Sequence, residues 1–219
     1  LHRDDFIMRM FQSAVAMAAK IAGLRTERNK AEIDAMLNEA MKGVSGMSRK
    51  TIGLLPPAEL ESMFSSREDQ AERATGLALL LIEEGDSHEV FDESEAAYED
   101  YIRALTLVLP VVLNGSSAVR EQLHYTVDGL IERLKNYPST SGWPLRTVDY
   151  FETIHQRYDL AENVLFAIAE LAPTPEIFSR GETFYTSRLA ESAEALNKGQ
   201  LPKDEAIDGW KDFQALFKN

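Results

Sequence analysis

The sequence contains no cysteine. That single absence removes a disulfide framework, thiolate metal sites, iron–sulfur clusters and a cysteine nucleophile from consideration. Long apolar runs are missing too. The best one, Leu105 to Leu113, is interrupted by Thr106 and Pro110 and reaches about half of the ~20 residues that span a bilayer, so no membrane segment is expected. The opening Leu1-His2-Arg3-Asp4-Asp5 lacks the charged and then apolar pattern of a secretory signal, and the expected location is the cytoplasm. Basic residues are scarce: 23 Lys and Arg stand against 36 Asp and Glu, for a net charge of −13. Such a surface repels phosphate backbones, which argues against nucleic acid as a partner. The densest basic stretch, Arg25 to Lys30, reads as a solvated loop between two helices. Glycine patterns that cradle phosphates or dinucleotides do not occur, and neither does a Gly-x-Ser-x-Gly turn. No catalytic residue is therefore assigned, no cofactor is expected, and an enzyme is the minority reading.

What the sequence does contain is helical periodicity. Apolar residues make up 44% of its 219 positions, enough to bury a core without covalent staples. Phe6, Met10, Val15, Met17 and Ile21 recur at helical spacing up to Gly23, and Ile33, Met36, Leu37, Ala40 and Met41 do so up to Gly43–Gly46, predicting one hairpin over 5–46. Ser48 opens a short piece that stops before Pro56, and Pro57 starts another through Met63. A helix capped by Ser66 and Asp69 is expected to run to Glu84, ended by Gly85, with a polar loop before a partner helix over Glu93–Leu113. Its second half, Leu77 to Ile82, is apolar nearly all round, which marks an inner helix. Leu123, Val127, Leu130 and Leu134 make the next apolar stripe, closed by Pro138. After the linker-like Ser139-Thr140-Ser141-Gly142, Trp143-Pro144 restarts a helix carrying Leu145, Val148, Phe151 and Ile154. Helices over Leu160–Ala172, from Thr174-Pro175 to Asn197, and from Pro202 onward complete the chain. Trp143 and Trp210 read as packing anchors.

No segment alternates as a strand does, so the expected class is all-α: about ten helices in stacked antiparallel hairpins. A single domain over 1–219 is expected, with a weak internal boundary at 138–143 between N-terminal hairpins (1–137) and C-terminal hairpins (144–219).

Two stretches carry a more specific pattern. In Ala97-Tyr98-Glu99-Asp100-Tyr101-Ile102-Arg103-Ala104-Leu105 the order Ala, aromatic, Ala-Leu, with Pro110 beyond, resembles the second helix of a tetratricopeptide unit. Tyr158, Ala161, Leu165 and Pro173 stand at corresponding spacings. The likeness implies a tetratricopeptide-like right-handed superhelix. Over nearly its whole length the chain also resembles an uncharacterised bacterial family, mostly from Firmicutes, known as a domain of unknown function. The likeness rests on Arg3-Asp4-Asp5-Phe6-Ile7-Met8-Arg9-Met10, Leu80 to Gly85, Ala161-Glu162-Asn163-Val164-Leu165-Phe166, and Gly181-Glu182-Thr183-Phe184-Tyr185 with Gly199-Gln200-Leu201-Pro202. It implies a fold and no activity.

Two constellations are candidates for function. Glu121 with His124 and Glu152 with His155 are Glu-x-x-His pairs, the spacing with which helical bundles hold paired metal ions. Glu121 falls opposite the stripe of Leu123 and Val127, however, so surface histidines are the expected outcome and no metal is assigned. The second is the acidic stretch from Glu83 to Tyr101, which has no Lys or Arg. It lacks the ligand order of a calcium loop. The turn from Gly85 to Asp92 is expected to protrude, with Glu89, Phe91, Asp92, Glu93 and Glu95 as the residues that would dock a basic protein or peptide. The leading expectation is a non-enzymatic interaction module using a groove between hairpins, with a homodimer left open. The alternative is an enzyme or a small-ligand or metal-binding protein with a pocket between helices; a buried, metal-occupied cluster or a deep polar pocket would favour it, and an open groove without perturbed titrating groups would favour the module.

Overall fold

The computed structural model describes residues 16–64 apart from 18, 70–138 and 142–218. All regular structure among them is helical and no strand occurs. The chain divides into two compact units, Leu1–Tyr137 and Pro138–Asn219.

In the first unit, α1 is described over 16–26 and passes through Gly23 rather than ending there. α2 (Lys30–Ser45) begins at Asn29, whose side chain accepts from the Glu32 N–H, and ends at Gly46 in the left-handed conformation, where a Cβ would be strained. Ser48 caps α3 (Arg49–Leu54), and Pro57 opens α4 (Pro57–Ser62). Then come two long helices, α5 (Gln70–Val90) and α6 (Ser94–Asn114), followed by α7 (Ser117–Leu134). α5 lies between α2 and α6, and α6 also meets α4 and α7. That placement explains why Leu77 to Ile82 and Ala104 to Val112 lack a polar face: both segments have neighbours on several sides. The α7 stripe of Leu123, Val127, Leu130 and Leu134 is buried as expected.

The expected end of α5 at Gly85 is corrected. The helix continues to Val90, and the connection to α6 is only the turn 91–93, with Asp92 left-handed at φ 60°. Gly85 is not a cap but a crossing point. A Cβ there would lie 2.4 Å from Cε1 of Tyr101 on α6, so the absent side chain is what lets the ring lie against the α5 backbone. The protruding turn expected over 85–92 accordingly does not exist. The Ser66–Asp69 capping pair and the apolar positions before Met17 lie outside the described residues.

In the second unit, Trp143 is buried, and α8 starts after it (Arg146–Tyr150) and runs into a π turn, Phe151–His155, ended by left-handed Gln156. α9 (Tyr158–Leu171) and α10 (Pro175–Leu189) follow. The single long helix expected from Thr174 to Asn197 is broken: Ser192 caps a separate α11 (Ala193–Lys198), which turns Leu196 into the core. α12 (Lys203–Ala215) packs on α10. Gly181 makes that contact possible, since a Cβ there would meet the Phe213 ring at 2.1 Å. Phe213 is fully buried, 5.5 Å from Phe166 and 6.2 Å from Trp210 between ring centroids.

Candidate functional site

The acidic stretch is largely matched inside its own unit. Arg25, half-hidden at the end of α1, donates to Glu83 Oε2 at 2.9 Å. Arg28 donates to the Val90 carbonyl and Lys30 pairs with Glu93, with both cations beside the Phe91 ring. Arg25 and Lys30 thus pair with Glu83 and Glu93, while Arg28 stays exposed in the turn between α1 and α2, as expected of a loop. Asp86 accepts from Arg133 Nε and Nη2 (2.7 and 2.9 Å) and from the Tyr101 hydroxyl (2.7 Å). Burial acts to raise its pKa, but these donors outweigh burial and hold it below the usual carboxylate value. Glu89 accepts from the Tyr137 hydroxyl. Of the five residues expected to dock a partner, Asp92 and Glu95 are the exposed ones with no such engagement, while Glu89, Phe91 and Glu93 are engaged within the unit.

The two Glu-x-x-His pairs fall one in each unit. Glu121 is exposed and His124 Nδ1 lies 2.9 Å from the Arg120 carbonyl. Glu152 is claimed by Arg180 and approached by Arg188 at 3.7 Å, and His155, on the π turn, stands beside the Tyr150 ring. The carboxylate of the second pair is already saturated by guanidinium groups.

A different group converges. Glu84 and His88, one turn apart on α5, face Asp100 on α6, and one ligand-type atom from each lies within 4.8 Å of the others. They form the floor of a cavity of about 420 Å³ between α2, α3, α5 and α6. Asp34, Asn38, Lys50, Gly53 and Glu99 line it further out. Asp100 is 4% exposed and Glu84 6%. Their neighbours Arg49 and Arg103 also reach the cavity. Arg49 donates from Nε to Glu84 and from Nη1 to Asp34 (2.7 Å), and its Nη2 is 3.2 Å from His88 Nε2. Arg103 donates to the Gly53 and Leu55 carbonyls and to Glu99. Because an arginine only donates, the neutral His88 ring keeps its lone pair at Nε2 and its proton at Nδ1.

That Nδ1 lies 3.0 Å from Asp100 Oδ2. The distance suits a hydrogen bond, yet the direction misses: neither atom, both sealed from solvent, completes one. The contact is close but poorly directed, and it becomes an ion pair only when His88 is protonated. The approach of Asp100 raises the His88 pKa, with burial opposing and the Glu84 charge assisting. Burial also raises both acids. Glu84 is pushed up to about 7 by burial and by the Asp100 charge, against Arg49, and Asp100 is raised by burial against His88 and Arg103. All three groups therefore hold protons more tightly than in water.

The model of the Family of unknown function (DUF6483) matches residues 1–218. The chain belongs to that family. No curated protein matches it, and no solved structure does. The membership agrees with the resemblance drawn from the sequence and assigns this DUF6483 chain no chemistry. Nor does any helix among the described residues have the length and apolarity to cross a membrane.

The Glu84–His88 pair was within reach of sequence reasoning, since a Glu and a His four apart share a helix face. It was hidden by reading Gly85 as a terminator, which moved His88 into a loop. Asp100 carried no signal of its own, because its partner lies on another helix.

Proposed function

We propose that this protein binds a small charged ligand in the cavity between α2, α3, α5 and α6, and that it acts by binding rather than by docking a basic partner in a groove. The observation that carries the reading is the polar floor: Glu84, His88 and Asp100, largely withdrawn from solvent yet lining a cavity. Burying three titrating groups side by side is costly unless something repays it. The volume is in the range of small-molecule sites, and the lining presents both signs of charge, which suits a polar rather than an apolar ligand. The docking reading is left with Asp92 and Glu95.

Gly53 supplies the test. Gly53 lines the cavity and a Cβ at this position meets nothing within 4 Å, so Gly53→Phe is the substitution chosen to obstruct it, with circular dichroism checking that the variant folds. The wild type and this variant, both freed of metal, are compared in thermal melts against a panel of amino acids, di- and tricarboxylates and nucleotides. A true ligand at 100 times its Kd adds about 2.7 kcal/mol, a rise of roughly 5–10 °C for a chain of this size. We expect at least one class to raise the wild-type melting temperature and to leave Gly53→Phe unmoved. A panel that moves neither protein, or both equally, defeats the reading.

A further inference from the structure

We propose that Glu84, His88 and Asp100 together hold a divalent first-row transition-metal ion at the floor of this cavity. The inference rests on the cavity being a ligand site and names the class of ligand it takes. Three observations support it. The ligand atoms converge within 4.8 Å. Asp100 Oδ2 and His88 Nδ1 are sealed from solvent, complete no well-directed hydrogen bond, and lie 3.0 Å apart. Two donors at that separation subtend about 90° at an ion roughly 2.1 Å from each, the angle between neighbouring ligands in an octahedral shell. Finally, the donors sit on two packed helices, α5 and α6, which hold them in place better than loops would.

Charge does not oppose the ion. Arg49 and Arg103 would repel a cation, but each is matched by a carboxylate outside the triad. Asp34 takes Arg49 at 2.7 Å and Glu99 takes Arg103 at 3.0 Å. Glu84 also pairs with Arg49, and Asp100 stands 3.5 Å from Arg103; with Asp34 and Glu99 counted, the ionised cluster still carries two more negative charges than positive ones. Ligation through Nδ1 puts the ring proton on Nε2, so the Arg49 donor 3.2 Å from that atom must give way, with Glu93 Oε2, 3.6 Å from Nε2, as the carboxylate on that side of the ring. A carboxylate behind a metal-bound histidine is the usual means of fixing the ring. One imidazole and two carboxylates favour zinc, manganese, iron or cobalt over copper(I), which wants sulfur, and over calcium, which wants oxygen alone. Three protein ligands leave positions open towards the cavity.

The experiment is equilibrium dialysis of the EDTA-stripped full chain against Zn2+ and against Mn2+, with bound metal counted by mass spectrometry. About one equivalent is expected. Glu84→Gln, His88→Gln and Asp100→Asn should each weaken uptake at least ~100-fold, the upper end of what losing even a supporting partner costs. Replacing both His124 and His155 by Ala should change nothing. Should a triad variant fail to fold, as circular dichroism would reveal, Co2+ loaded into the wild type provides an independent readout. Visible d–d bands of a nitrogen- and oxygen-bound ion support the site, and the spectrum of aqueous Co2+ refutes it. Absence of uptake, uptake indifferent to the triad, or uptake lost with His124 and His155 each overturns the proposal. If no metal binds while a metabolite still gives a shift that Gly53→Phe abolishes, the metal fails and the cavity reading stands. If both experiments are blank, both fall.

Discussion

At the scale of single residues, this protein repeatedly encloses carboxylates and then attends to them unequally. Asp86 has a guanidinium and a hydroxyl on it, whereas among the described residues Glu162 on α9 has only the Tyr185 hydroxyl, which donates to Oε1 at 2.6 Å. Burial raises the Glu162 pKa, the Tyr185 bond opposes it, and the charges of Glu205 and Asp159 add to the rise. The sign follows directly. A carboxyl whose folded pKa is above its unfolded value favours folding while protonated. Its contribution is fully present below the unfolded value, near 4.5, and is lost as pH rises through the folded one. Glu162→Gln keeps an acceptor for Tyr185 and removes the charge. It should raise the melting temperature at pH 7.5 and make little difference at pH 4, which two pairs of thermal melts would check. A gain of equal size at both pH values would show that Glu162 is not held against its own ionisation.

At the scale of elements, glycines with the same composition signal do opposite work. Gly85 lets α5 and α6 touch, so Gly85→Ala drives a methyl group into the Tyr101 ring. The helix gains about 1 kcal/mol of propensity, but overpacking costs about 1–3, and Tyr101 is pinned by its bond to Asp86. We expect a net loss of up to about 2 kcal/mol in urea unfolding. Gly53→Ala, on α3 with open space around its Cβ, should instead gain about 0.5–1 kcal/mol. This pair also shows what could be read in advance. Helical periodicity located α2, α6, α7 and α9 because their apolar stripes repeat locally. It misjudged α5 and α10, because whether a glycine or a serine ends a helix is decided by what packs against it. In α5 the deciding residue is Tyr101, 16 positions further along the chain. In α10 it is the need of Leu196 for a place in the core.

At the scale of the whole molecule, the described residues fall into two units, each with its own core. The second holds Phe184, Tyr185, Leu196 and Phe213 fully buried, with α12 seated on α10. A domain that owns its core can fold by itself. The segment 138–219 expressed alone should therefore give a helical spectrum and a cooperative thermal transition. A spectrum of unfolded chain, or a melt without a transition, would show that the units need one another. The −13 charge was equally plain in the sequence, but its disposition was not. Composition counts charges without saying which are already spoken for, and Arg25, Lys30, Arg49 and Arg133 consume much of what looked like a docking surface.

Tyr101 ties the element scale to the site. Its ring covers Gly85, its hydroxyl reaches Asp86, and the residue before it is Asp100. It acts as a key that sets the rotational phase of α5 against α6. Each residue added to a helix turns everything beyond it by about 100°. One residue inserted between Asp86 and His88 would leave the key engaged and swing His88 off Asp100. The same residue inserted at 91–93 would lengthen a turn and leave the three groups facing one another. For the cavity floor, the spacing between Glu84 and His88 and that between Asp100 and Tyr101 are as much part of the site as the side chains themselves.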